Sequence, residues 1–142
     1  MKANLIILFA LAVAMACQPK KDVTVPGIIK ESFEKIHPNV SDVLWIEEPS
    51  IFEAKFTDGK MKGAVSFNEK GEVVETEEVI EQNKLPNLPG IIEYIKTSYP
   101  GEIIEQSEKI TKHDGTVVYE LQIKGKELVF DSEGKFLEEE AD

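Results

Sequence analysis

Apolar and polar residues follow three different rhythms along this chain. Leu5 to Ala16 is uninterrupted apolar sequence. From Val25 onward, apolar residues recur at helical spacing as Val25, Ile28, Ile29, Phe33 and Ile36, with Lys30, Glu31, Glu34 and Lys35 between them. The stripe stops at His37-Pro38, because the residue before a proline avoids helical geometry. A second stripe, Leu88, Ile91, Ile92, Ile95 and Tyr99, stops at Tyr99-Pro100 in the same way. Pro26 and Pro89 fall where a first helical turn tolerates proline. After each stripe the period drops to two. Phe52, Ala54 and Phe56 alternate with Glu53, Lys55 and Thr57, and Val117, Tyr119, Leu121 and Ile123 alternate with Thr116, Val118, Glu120 and Gln122. This is the signature of strands with one covered face. Val43 to Glu48 and Glu102 to Ile110 are expected as the first strand after each helix. Asp58-Gly59, Lys70-Gly71, Asp114-Gly115, Lys124-Gly125 and Glu133-Gly134 punctuate the runs as tight turns.

The two halves echo one another. Val25-Pro-Gly-Ile-Ile29 returns as Leu88-Pro-Gly-Ile-Ile92, and Phe67-Asn-Glu-Lys-Gly71 returns as Phe130-Asp-Ser-Glu-Gly134, both at the same offset. Two anchors at one spacing imply a tandem repeat with units at 25–84 and 85–142. Units this short are marginal alone, so the pair is expected to form one compact domain over 25–142. Glu77 to Lys84 reads as the polar junction. No helices stand between strands, so parallel crossovers are excluded. The expected fold is α+β: each unit is one helix followed by an antiparallel β-meander of three to four strands, with both helices on one face of the sheet and the other face open.

The N-terminal run is about one signal-peptide core long and too short for a bilayer, which takes about 20 apolar residues. Residues 1–16 therefore read as an export signal, with Ala14 and Ala16 fitting small-x-small cleavage. Ala14-Met15-Ala16-Cys17 resembles a bacterial lipobox, with Ala14 where leucine is usual. Cys17 is the only cysteine in the chain. It has no disulfide partner, and acylation would remove an exposed thiol from an oxidising compartment. A diacyl anchor holds stably. Residues 17–24 then form a lipidated tether. The expected location is the periplasm or the outer membrane of a Gram-negative bacterium.

Charge narrows the partners. The 142 residues carry 16 lysines, no arginine and 27 acids, for a net charge of -11. A basic face for nucleic acid is missing. Anionic lipid repels such a chain, so contact with the membrane is expected through the lipid anchor only. An electrostatically steered partner should be a basic protein or peptide of the envelope. Chemistry is sparse. His37 and His113 lie in unlike contexts, one ending a helix and one in a turn, so no metal site is expected. None of the serines sits in a GxSxG elbow, and no GxGxxG or P-loop supports a nucleotide. Asn68-Glu69-Lys70-Gly71 and Asp131-Ser132-Glu133-Gly134 lack the ligand ladder of a calcium loop and read better as turns. No cofactor is expected.

The order Val25-Pro26, Phe33, Pro38, Val43-Leu44-Trp45, Phe52-Glu53-Ala54-Lys55-Phe56, Phe67-Asn68-Glu69-Lys70-Gly71-Glu72 and Thr76-Glu77 resembles the PepSY-like family of exported Bacteroidetes-type proteins. That family is grouped with the beta-lactamase-inhibitory-protein-like fold. Leu85-Pro86, Tyr99-Pro100, Tyr119-Glu120-Leu121 and Phe130-Asp131-Ser132-Glu133-Gly134-Lys135 continue the likeness, which spans residues 25–138. Val73 departs from it, standing where the family commonly has an aromatic. The resemblance implies helix-plus-sheet repeats in an exported binding protein, and no catalytic residues.

Two functions are therefore weighed. One is a non-enzymatic lipoprotein that presents a sheet face to an envelope protein or peptide, inhibitor-like in its mode. Trp45, Phe52 and Tyr119 are the candidate aromatic residues of that face, since buried aromatic anchors dominate binding. Trp45 has a simpler reading as a core or inter-repeat packing residue beside Val43. The other function is a carboxylate-based envelope hydrolase such as a glycosidase, which needs two acids across a cleft, about 5–10 Å apart. A structural envelope lipoprotein without a discrete ligand is the plainest alternative.

Overall fold

The computed structural model describes residues 23–141; the export signal and Cys17 lie outside the described residues. Two helices and eight strands are laid out as α1 (Gly27–Ile36), β1 (Val43–Glu48), β2 (Ile51–Asp58), β3 (Met61–Asn68), β4 (Val73–Val79), α2 (Leu88–Ser98), β5 (Gln106–Lys112), β6 (Val117–Ile123), β7 (Lys126–Asp131) and β8 (Phe136–Ala141). The strands form a single antiparallel sheet in sequence order. The fold is thus α+β, built from two successive sets of one helix and four strands.

Each helix buries a narrow stripe. Ile29 and Phe33 of α1 are enclosed with Phe52, Ala54, Phe56, Val65 and Phe67. Ile91 and Ile95 of α2 are enclosed with Leu121, Ile123, Leu128 and Phe130. The expected stripes were broader: Ile28 is 53% exposed and Ile36 44% exposed, so α1 rests on the sheet by two side chains and Val25. Register places both clusters on one face. Phe56 opposes Gly63, Gly63 opposes Glu78, Glu78 opposes Lys109, and Lys109 opposes Tyr119, which opposes Phe130. Between the two clusters this face is polar, with Thr76, Glu78, Lys109 and Thr111.

Turn chemistry is duplicated in detail. The Asn68 side-chain oxygen accepts from the backbone N–H groups of Lys70 and Glu72, and Asp131 accepts from Glu133 and Lys135. These are Asx turns, which accounts for the two loops that faintly resemble calcium sites. Each is preceded by a register shift, at Ser66/Phe67 and at Val129/Phe130. Gly71 and Gly134 close them with φ of 77° and 79°. A methyl on Gly71 would meet the Ser32 side chain and the Ile28 carbonyl of α1, and one on Gly134 would meet the Pro86 carbonyl just before α2. The first turn therefore seats against α1, and the second against the residues that lead into α2.

Two expected boundaries move. Glu102 to Glu105 is not strand; β5 starts at Gln106, and Glu105 only donates its N–H to Gln122. The run Glu77 to Lys84 is not a junction throughout. Glu77, Glu78 and Val79 finish β4 and pair with β5, so the link between halves starts at Ile80. A polar stretch can be a central strand when its other neighbours supply the packing.

Gly115 and Gly134 both have positive φ, but nothing lies within 4 Å of a methyl built on Gly115, whereas one on Gly134 falls 2.6 Å from the Pro86 oxygen. Gly115→Ala should cost about 1–2 kcal/mol from the left-handed backbone alone. Gly134→Ala should cost a further ~1–3 kcal/mol from the collision. Equal losses in urea denaturation would show that the β7–β8 turn does not rest on the approach to α2.

Candidate functional site: the helix-free face of the sheet

Residues that alternate with the helix-side cores form the opposite face in continuous rows. One row runs Leu44, Lys55, Ala64, Glu77, Ile110, Val118, Asp131. A second runs Ile46, Glu53, Ser66, Glu75, Lys112. A third runs Val79, Glu108, Glu120, Val129, Glu138, and a fourth Gln106, Gln122, Glu127, Glu140. No helix covers these rows, yet Ile110, Val118 and Val129 form a small buried cluster there. Glu53, Glu75, Glu77, Glu108, Glu120 and Glu127 are buried as well, each at 8% exposure or less.

Burial of so many carboxylates has a direct electrostatic result. Desolvation penalises the charged form, and each neighbouring acid adds to that penalty. Burial pushes Glu77 up to about 9, with Glu53, Glu108, Glu75 and Glu120 adding to it. Burial likewise raises Glu120 to about 8, reinforced by Glu127 and Glu108. Glu53 rises by burial to about 7, opposed by Lys55, whose ammonium lies 3.8 Å away. Burial also raises Glu75 and Glu108, held back by Lys112 for the first and by the Gln106 amide and Lys55 for the second. At neutral pH this face holds protons that the same residues in an unfolded chain would have lost.

A hollow of about 570 Å³ opens on the face over Ala64, walled by Leu44, Lys55, Glu77, Val79, Gln106 and Glu108. Beside it, sharing Gln106 and Glu108, lies a polar cavity of about 10 Å³ closed by Glu120, Gln122 and Glu127. The Gln106 amide donates to Glu108 at 2.6 Å. Among the described residues, no group of three or more His, Cys, Asp or Glu is arranged to hold a metal ion.

The expected aromatic face needs correction. Phe52, 8% exposed, belongs to the core beneath α1. Trp45 packs against that core edge-to-face with Phe33, centroids 5.7 Å apart, and Tyr119 packs against the core beneath α2. All three point toward the helices because they share the parity of Val43, Ala54 and Leu121 on their strands. No aromatic residue stands in the rows of the helix-free face. His37 ends α1 as expected, its N–H donating to the Phe33 carbonyl and its ring 4.1 Å from that of Phe56. The glutamates were missed as site residues, although their signal was in the alternation: each occupies the polar parity of its strand.

Comparison with known proteins follows the same lines. Residues 50–138 match the family described as "Putative beta-lactamase-inhibitor-like, PepSY-like". No curated protein matches the sequence. Among solved structures, the fold is similar to a "putative periplasmic" protein from Bacteroides eggerthii, at a TM-score of 0.72 and 12% identity, covering 84% of this chain and 90% of that one. A DUF2874 family protein from Bacteroides ovatus aligns at a TM-score of 0.69 and 18% identity over 84% and 89% of the two chains. A BLIP-like protein from Bacteroides fragilis aligns at 0.65 and 17% over 84% and 87%.

The raised carboxyls set the sign of the pH dependence. Between the unfolded value near 4.5 and folded values of about 7 to 9, the folded chain binds more protons than the unfolded one. Their contribution to stability is therefore fully present only below about pH 4.5 and is lost as pH rises to the folded values of about 7 to 9, by about 1.4 kcal/mol per pH unit for each retained proton. Urea midpoints should fall from pH 5 to pH 8.5, and Glu77→Gln should flatten the fall. Midpoints that rise with pH would show these carboxylates to be ionised throughout. With its matched span covering more than half of the sequence, the chain belongs to the PepSY-like, beta-lactamase-inhibitor-like family.

Proposed function

We propose that the chain is an exported, non-enzymatic binding protein whose helix-free sheet face receives the basic surface of an envelope protein or peptide. The observation that carries this reading is the row structure just described: an unbroken face, free of helices, in which buried carboxylates surround a hollow. Periplasmic descriptions of solved relatives support export, as does the family's inhibitor-like description. The halves 25–84 and 85–142 are read as copies of one unit, supported by their matched Asx turns and register shifts. Export through residues 1–16 and acylation at Cys17 complete the proposal: the lipid holds the chain at the membrane and residues 17–24 tether the sheet.

One observation favours catalysis, since Glu77 and Glu108 both line the 570 Å³ hollow. A retaining or inverting glycosidase, however, needs one ionised carboxylate as nucleophile or base beside its acid. Burial raises both of these groups. They also stand side by side on adjacent strands instead of facing each other across a cleft. Binding fits this geometry better.

The test is capture from envelope extract by the tagged chain and by a Glu53→Gln, Glu77→Gln, Glu108→Gln triple variant. A specific partner should be retained by the parent chain, be released by added salt as screening predicts, and be lost with the triple variant. A partner held equally by both would sink the acidic-face reading. For the anchor, Cys17→Ala should abolish acylation and move the protein from the membrane to the soluble fraction. An unchanged distribution would remove the lipid from the proposal.

A further inference from the structure

The 10 Å³ cavity beside the hollow has a built interior. Glu108 and Glu120 stand directly opposite one another on β5 and β6, and Gln106 opposes Gln122 one step along the same strands. Two carboxylates in that relation are destabilising unless a positive charge or a proton lies between them. Glu120 is 6% exposed, and its Oε2 is fully enclosed without a hydrogen-bond partner. A buried acceptor left unsatisfied is costly. It lines a cavity whose walls include two further carboxylates, Glu108 and Glu127, and two side-chain amides. The volume suits one water-sized atom. That is room for a single nitrogen and too little for a planar guanidinium.

We propose that this cavity receives the side-chain ammonium of a lysine on a protein partner, with Glu108 and Glu120 as its carboxylate acceptors and Gln122 as an amide acceptor. The inference rests on the acidic-face reading and narrows it to one residue type. An ammonium is a compact charge with three donors on a flexible four-carbon stem. The stem has a matching bed. Val79 opposes Glu108 on the neighbouring strand, and with Ala64 it gives the adjoining hollow an apolar wall and floor. The hollow shares Gln106 and Glu108 with the cavity, so the stem enters from solvent along it.

Every charged group around the cavity bears on its protonation. Glu108 faces it from β5, Glu127 from β7 and Glu140 from β8, with Glu75 farther off on β4. Lys55, Lys62 and Lys112 are cations of the face; Lys55 acts on Glu108, and Lys112 on Glu75 and Glu140. With Glu120 pushed up to about 8, the free cavity holds a proton at pH 7 that the incoming ammonium displaces. Binding then releases a proton, and affinity rises by up to about ten-fold per pH unit from pH 6 to pH 8.

Calorimetric titration of the full chain with a pentalysine peptide at low salt tests this. Glu120→Gln should weaken binding by about ten-fold or more, as expected for loss of a charge-assisted contact, and should remove most of the pH dependence. Glu75→Gln, which alters a carboxyl of the same face that does not line the cavity, should weaken it by no more than about two-fold, since it acts on the cavity only at a distance. Gln122→Leu leaves the charge unchanged and should weaken binding several-fold, which separates the cavity from net charge. Equal losses for Glu120→Gln and Glu75→Gln would overturn the lysine cavity while leaving the acidic face standing. Pentalysine failing to bind would overturn it too, and the capture experiment judges the face independently. Pentaarginine binding as well as pentalysine would overturn the choice of ammonium. Butylamine binding as tightly as the peptide would overturn the partner-borne lysine in favour of a small amine.

Discussion

The structure depends on the pairing of β4 with β5. Glu75 to Val79 zip against Glu108 to Lys112 and turn two four-stranded meanders into one eight-stranded sheet. Without that ladder each half would expose an inner strand edge, a template for unwanted pairing. With it, the hydrophobic work can stay local. α1 packs on side chains of β1 to β4 and α2 on side chains of β6 to β8, and the helix-side seam at Thr76, Glu78, Lys109 and Thr111 stays polar. The same ladder also carries the rows of the opposite face across both halves. A hollow lined by Leu44 of β1 and Glu108 of β5 exists only because the sheet does not stop at β4.

That opposite face is expensive to maintain. Like charges on directly opposed residues repel, and Glu108 with Glu120 is such a pair. Buried carboxylates relieve the repulsion by keeping protons. The chain as a whole is acidic, with a net charge of -11, so few cations of its own are placed to do the job: Lys55 and Lys112 are those on these rows. The helix-side cores, in which Phe33, Phe67, Phe130 and Leu121 are almost wholly enclosed, supply the stability against which this cost is set. Proteins commonly break local rules of charge placement where they function and compensate elsewhere.

Much of the fold could be read from spacing. The two helices, the strand Val43–Glu48 and the strand Val117–Ile123 follow from periods of 3.6 and 2, and the Asx turns follow from Asn68 and Asp131 preceding Gly71 and Gly134. Alternation also separates Phe52, Ala54 and Phe56 from Glu53 and Lys55. It does not say which set meets a helix, and it does not say that the polar set will be buried too. Aromatic residues were expected on the open face because they are strong binding anchors, but the helices require the same residues for their cores. Burial of Glu77 or Glu120 comes from cross-strand register over five or more strands, which no local window contains. The end of β4, Glu77 to Val79, reads as part of a linker because its polarity suits one, and only its partners on both sides make it strand.

The division of labour between the faces also bears on why the geometry supports the proposed binding better than chemistry. Catalysis asks for acids whose environments push their pKa values apart. Here one environment, shared along the rows, pushes Glu53, Glu75, Glu77, Glu108 and Glu120 in the same direction. A set of like groups moved together holds protons, one of which an incoming cation would displace. On the proposed reading, such a face would recognise positive charge by exchange, taking an ammonium where it held a proton, and would discriminate by whether the incoming group fits between Glu108 and Glu120.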